Sequence, residues 1–156
     1  MKAARRPGRG IAVRSYAQRL RIKAPPECVF DAVTTLKGLR GWWTSRVSGS
    51  PAAQGGDVRF EFEGLDEYIV MRVDGAERPT SVLWTCVVHT GLDDWNGTQV
   101  RFQVEACKDG ECELAFEHVG LTPKLDCYED CEAGWGHFLS SLVTYVERGK
   151  GTPFCK

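Results

Sequence analysis

The chain is predicted to be an α+β protein: a curved antiparallel sheet gripping one long C-terminal helix, with two short helices after the first strand. Three observations carry this. Trp135, Phe138, Leu139, Leu142, Val143 and Val146 recur at offsets of three and four, one stripe of a helix. Val58, Phe60 and Phe62, then Val100, Phe102 and Val104, then Leu114, Phe116 and His118 alternate with charged or polar neighbours, as strands with one wet face do. The order of these signals is strand, helices, several strands, long helix, which segregates the helices from the sheet. One helix of this length covers five or six strands only if the sheet curves around it.

Residues 1–14 read as a basic, solvated tail. Lys2, Arg5, Arg6, Arg9 and Arg14 precede the first acidic residue, Glu27, and Pro7, Gly8 and Gly10 break any amphipathic helix there. Residues 15–153 are expected to form one domain, with 154–156 as a C-terminal end. Tyr16, Gln18, Leu20 and Ile22 alternate with Ala17, Arg19, Arg21 and Lys23, a half-buried strand stopped by Pro25 and Pro26. Proline is tolerated in a first helical turn and Glu27 suits the positive end of the dipole, so a helix begins here with Val29, Phe30 and Val33 inward. A second short helix over about 36–43 is weakened by Gly38 and Gly41 and ends at Trp42 and Trp43, which either cap the mouth of a pocket or, as is expected of one of them, staple the helix to the sheet.

Residues 49–56 are loop by composition. Strands follow over 57–63, over 67–75, where apolar residues fall on both parities, and over the β-rich run 82–88. The hairpin between the next two strands contains Lys108-Asp109-Gly110, and parity sets its loop length. A two-residue turn would oppose Phe102 to Glu117. A three-residue loop with Gly110 left-handed opposes Val104 to Leu114 and Phe102 to Phe116, and is the one expected. Cys107 then points out and Cys112 in, so no disulfide is expected between them.

The C-terminal helix should end at Arg148 and Gly149, before Pro153. Gly134 and Gly136 flank Trp135 in its first turns, and each glycine costs about 1 kcal/mol against alanine in a helix. A close approach to the sheet or to a ligand is the expected reason.

At 156 residues and 17.4 kDa the chain suits a single domain. Its 20 Lys and Arg against 21 Asp and Glu supply no global field for nucleic acid. No apolar run is long enough for membrane insertion or a secretory signal, so a soluble, cytoplasmic protein is expected. Seven cysteines without such a signal argue for free thiols.

Three stretches, taken in order, resemble the START-related helix-grip superfamily (SRPBCC), in the branch similar to the C-terminal domain of the activator of the heat-shock chaperone ATPase. They are Ile22-Lys-Ala-Pro-Pro-Glu-Cys-Val-Phe-Asp-Ala-Val-Thr; Leu39-Arg-Gly-Trp-Trp; and Phe116-Glu-His-Val-Gly-Leu followed by Cys127-Tyr-Glu-Asp-Cys-Glu-Ala-Gly-Trp and Gly149-Lys-Gly-Thr-Pro. The likeness spans about residues 15–153. It implies a seven-element curved sheet around the last helix, enclosing a cavity for a lipid, a polyketide or another apolar small molecule. Fold alone does not choose between a carrier, a cyclase or dehydratase, and a chaperone-partner or stress-response module that would add a weak protein partner.

On that curved sheet Phe60, Phe62, Trp84, Phe102, Phe116 and His118 face the helix, which contributes Trp135, Phe138 and Leu139. These nine are the expected ligand-binding residues. His118, on the parity of Leu114 and Phe116, reads first as a hydrogen-bonded structural histidine and second as a group at the cavity edge. Tyr68 is the other candidate acid, and neither has a visible partner. Cys127 and Cys131 lie four apart, but His137 is turned roughly 120° from Cys131 around a helix and no CxxC pair exists. No metal, no cofactor and no catalytic residue is therefore assigned. Gly-x-Ser-x-Gly, phosphate-loop and dinucleotide motifs are absent.

Overall fold

A computed structural model describes residues 14–154, so the predicted tail falls, but for Arg14, outside the described residues. Seven antiparallel strands form one sheet in the order β1-β7-β6-β5-β4-β3-β2. They are β1 Tyr16–Ile22, β2 Arg46–Gly49, β3 Asp57–Glu61, β4 Tyr68–Glu77, β5 Ser81–His89, β6 Gln99–Ala106 and β7 Cys112–Val119. The helices are α1 Pro26–Thr34, α2 Leu36–Trp42 and α3 Tyr128–Arg148. None of the described helices is long and apolar enough to cross a membrane.

The predicted α+β class and helix-grip arrangement are what the chain adopts. β1 and β2 are the two edges of the sheet, so α1 and α2 carry the chain across its whole width on the face that α3 also covers. The alternation read from sequence for β3, β6 and β7 is the burial pattern observed: Val58, Phe60, Val100, Phe102, Leu114 and Phe116 are buried in one core, joined by Ile69, Met71, Val73, Val82 and Trp84 of β4 and β5, whose inward face showed no clear alternation in sequence. β4 is apolar on both parities, and its register slips between Val70 and Met71 and between Val73 and Gly75. Such bulges bend a strand and supply the curvature. On the outer face, cross-strand ion pairs such as Arg19 with Glu113 and Arg101 with Glu117 are exposed and contribute little to stability.

The β6–β7 register opposes Phe102 to Phe116 and Val104 to Leu114, as parity required. The loop closes on Cys107, with Asp109 and Gly110 both left-handed, at φ 62° and 74°. Cys112 is buried and Cys107 half-exposed, both as free thiols. β2 was not anticipated. Its four residues bury only Val47, too short a run for alternation to show.

α3 also starts earlier than the apolar stripe suggested, at Tyr128, with Glu129 and Asp130 in a first turn whose dipole favours them. It ends as predicted, with Gly149 left-handed and its N–H on Tyr145 O at 2.7 Å. The residues beyond it fold back: Phe154 N bonds Trp43 O at 2.7 Å and its ring meets Phe62 edge-on. Phe154 thus packs with the domain rather than lying past its end.

The staple expected between α2 and the sheet is, at Trp42, a staple between helices. The Trp42 indole N–H donates to Ala32 O at 2.8 Å, and its own carbonyl accepts from Ser141 Oγ at 2.8 Å, so one residue joins α1, α2 and α3. The tight approach expected at Gly134 and Gly136 is instead found here. A Cβ on Gly38 would stand 2.6 Å from Ala32 Cα and O, and one on Gly41 would overlap the Tyr145 ring, whereas at Gly134 and Gly136 it would meet nothing within 4 Å. Gly38→Ala should therefore cost about 1–3 kcal/mol through overpacking, while Gly136→Ala should gain about 1 kcal/mol of helix propensity. Urea denaturation midpoints moving in opposite directions for the two variants are the expected result.

Candidate functional site

Between α3 and one end of the sheet lies a cavity of about 180 Å³. β4 supplies Ile69 and the end of β5 supplies His89, with Phe62 just beyond β3. A short 3-10 turn, Asp93–Trp95, folds Trp95 and the preceding Leu92 over the opening. α3 contributes Asp130, Cys131, Gly134, Trp135 and Phe138, and Trp43 closes the floor from the end of α2. The wall is overwhelmingly apolar, the character expected of a small-molecule site.

Aromatic contacts fix its shape. Trp135 stacks nearly parallel on Trp95, with centroids 5.9 Å apart, and packs at 5.2 Å on Trp43 and 4.6 Å on Phe116. Trp43 in turn lies 4.3 Å from Phe60. Such pairs contribute roughly 0.5–1.5 kcal/mol each beyond the area they bury.

A buried polar relay holds the two tryptophans. Trp135 Nε1–H donates to His118 Nδ1 at 3.0 Å, which leaves the His118 proton on Nε2. That nitrogen donates to Thr98 Oγ1 at 2.8 Å, and the Thr98 hydroxyl donates to Trp95 O at 2.5 Å. Burial, with a smaller effect from His89, pushes the His118 pKa down to about 3, so the ring is neutral. Trp95 Nε1–H donates to Cys131 Sγ at 3.2 Å, and burial raises the Cys131 pKa, so its thiol stays protonated. The indole N–H of Trp84 is buried without an oxygen or nitrogen partner, among the rings of Trp43, Phe60 and Phe102.

The nine residues expected from sequence divide by depth. Phe62, Trp135 and Phe138 line the cavity. Phe60, Trp84, Phe102, Phe116, His118 and Leu139 lie behind it, fully packed in the core at 2% exposure or less. Strand parity and the helical stripe identify the inward face of an element but not how deep along it the packing opens, so they gathered these six with the three. Tyr68 lies under the Arg59 guanidinium, 3.7 Å from its ring centroid, and forms no part of the cavity. Trp95, His89 and Leu92 were missed. Thr90-Gly-Leu-Asp-Asp-Trp-Asn-Gly reads as a polar loop, and the one signal in it is a tryptophan with no strand or helix to belong to. Among the described residues no cluster of three or more His, Cys, Asp or Glu is placed to hold a metal.

A curved seven-stranded sheet closed over a long helix, with an aromatic cavity between them, defines a helix-grip protein. The family model described as activator of Hsp90 ATPase homolog 1-like protein matches residues 23–147, and the chain belongs to that family. The solution structure of the Aha1 dimer from Colwellia psychrerythraea is 31% identical, with a TM-score of 0.75 over 86% of this chain and 97% of that one. CalU16 from Micromonospora echinospora shares the fold at 21% identity and a TM-score of 0.68, over 90% of this chain and 78% of its own. DynU16, from the dynemicin biosynthetic locus, does so at 23% and 0.70, over 86% of this chain and 48% of its own. No curated protein matches the sequence.

The relay makes stability pH-dependent with a definite sign. His118 has a folded pKa near 3 against an ordinary 6.5, so between these values the unfolded chain binds a proton that the native state excludes. Its contribution is complete above about pH 6.5 and is lost as pH falls toward 3, at no more than about 1.4 kcal/mol per pH unit. His89, its pKa also lowered by burial, acts in the same direction. Gln at position 118 can accept from Trp135 and donate to Thr98 without titrating. Between pH 6.5 and 4 the urea midpoint of His118→Gln should fall less steeply than that of the unsubstituted protein. Equal slopes would contradict the assignment.

Proposed function

We propose that the protein binds an apolar or aromatic small molecule in the cavity between its sheet and α3. The observation that carries this is the gap at Gly134. This residue lies on the cavity wall, and where any other residue would place a Cβ there is no atom within 4 Å apart from its chain neighbours and its own helix backbone, although Trp43, Trp95 and Trp135 pack closely around the rest. A helix that accepts a glycine's propensity cost beside open apolar space leaves room for something else.

Volume sets the size of that something. An apolar cavity of about 150 Å³ is enough to hold benzene. At about 180 Å³, the space takes one aromatic ring with a short substituent, or the end of a larger molecule. A lipid- or polyketide-like ligand would thus enter by one ring or chain end rather than whole. DynU16's place in a biosynthetic locus accords with a small-molecule ligand.

Binding is favoured over catalysis because no acid and base on the wall are hydrogen-bonded to one another among the described residues. His118 is sealed behind Trp135, Cys131 is a protonated thiol, and the one basic nitrogen of neutral His89 already accepts two backbone N–H groups. It is favoured over docking to a chaperone because the large exposed apolar side chains among the described residues are Leu65 and Val87, too few for an interaction patch.

Toluene titrated into the ¹⁵N-labelled protein should shift the indole signals of Trp43, Trp95 and Trp135 together. Gly134→Leu, which fills the gap while improving helix propensity, should weaken binding at least about tenfold, the equivalent of about 1.4 kcal/mol. Unmoved indole signals, or undiminished binding in a folded Gly134→Leu, would sink the proposal.

A further inference from the structure

The polar atoms of the cavity wall are almost all committed elsewhere. Trp135 Nε1 is held by His118, and Trp95 Nε1 by Cys131. His89 differs. Its Nδ1 accepts from the backbone N–H groups of Gly91 at 3.1 Å and Leu92 at 3.0 Å, so that nitrogen carries no proton and the neutral ring must carry it on Nε2. Nε2 has no hydrogen-bond partner among the described residues and keeps contact with solvent, on a residue that is 7% exposed and lines the cavity. The ring cannot easily turn away. Its backbone N–H is tied to Asn96 Oδ1 at 2.8 Å, and its face meets the Trp95 ring edge-on at 4.9 Å.

We propose that His89 Nε2–H is the donor that reads the ligand, and that the ligand is a neutral single-ring aromatic carrying a carbonyl-type acceptor, such as an aryl ketone, aldehyde or ester. This rests on the cavity being the binding site. A purely hydrocarbon guest would displace water from Nε2–H and leave a buried donor without a partner, which is penalised; a carbonyl oxygen satisfies it. Charge argues against a carboxylate in the same place. Asp130 stands at the rim, Glu67 and Asp93 lie near the imidazole, and burial keeps the ring itself uncharged.

The test compares acetophenone, ethylbenzene and benzoate, which share the ring and differ in the acceptor. The ratio of acetophenone to ethylbenzene affinity should fall roughly three- to tenfold in His89→Asn, whose side-chain oxygen can still accept from Gly91 and Leu92 while the Nε2 donor is gone. Benzoate should bind more weakly than acetophenone. In the unsubstituted protein, the protonated His89 Nε2 signal in imidazole ¹⁵N spectra should move with acetophenone and stay nearly still with ethylbenzene, a readout that needs no variant to fold. A ratio unchanged in His89→Asn, benzoate as the tightest of the three, or an Nε2 signal indifferent to bound acetophenone overturns the donor and leaves the cavity standing. Failure of all three to bind the unsubstituted protein overturns both.

Discussion

The bond from Trp135 Nε1 to His118 Nδ1 is the constraint on which the arrangement depends. It joins the one long helix to the C-terminal end of β7, and it is made where both side chains are almost completely buried. A buried indole N–H or imidazole nitrogen left alone would cost about 1–3 kcal/mol, so each group fixes the other. The Trp135 plane is then set, and Trp43, Trp95 and Phe116 can pack against it only in the places they occupy. The same relay runs through Thr98 to the carbonyl of Trp95, so one chain of hydrogen bonds positions two of the cavity's walls.

The cavity follows from a mismatch between neighbouring parts of one aromatic cluster. Toward β6 and β7 the sheet presents Phe116 to Trp135 of α3, with Phe102 packed behind Phe116, and the packing closes. Toward β3 and β4 the floor is Trp43, brought in from the end of α2, and the facing helix position is Gly134. A large ring opposite an absent side chain leaves a space that neither can fill. α1 and α2 therefore matter to the site although they touch it only through Trp43: Trp42 ties α2 to Ala32 of α1 and to Ser141 of α3, and so sets where the next residue stands.

Much of the fold was legible because alternation and 3.6-residue periodicity report directly on which face is buried. The β6–β7 register is the clearest case, since opposing Phe102 to Glu117 would have put a charge in the core. β2 escaped because one inward residue, Val47, makes no pattern. The site was less legible. Periodicity found Phe62, Trp135 and Phe138 but could not separate them from Phe60, Trp84, Phe102 and Phe116, which share their faces and differ only in depth. Trp95 reaches the cavity from a 3-10 turn that has no periodicity, and His89 owes its role to two backbone N–H groups in the turn that follows it. The glycines flanking Trp135 were conspicuous in sequence, but of the two reasons expected the sheet contact is not found: Gly134 marks space, which leaves the approach of a ligand.

The central claim is that an open apolar cavity exists between α3 and the sheet and admits a small guest. A crystal structure under xenon pressure tests it most directly, because xenon occupies apolar cavities of this size without needing any specific contact. The account predicts a xenon atom bounded by Trp43, Trp95, Trp135 and Phe138, beside the backbone of Gly134. Xenon absent from that position, with the side chains collapsed into the space, would contradict it.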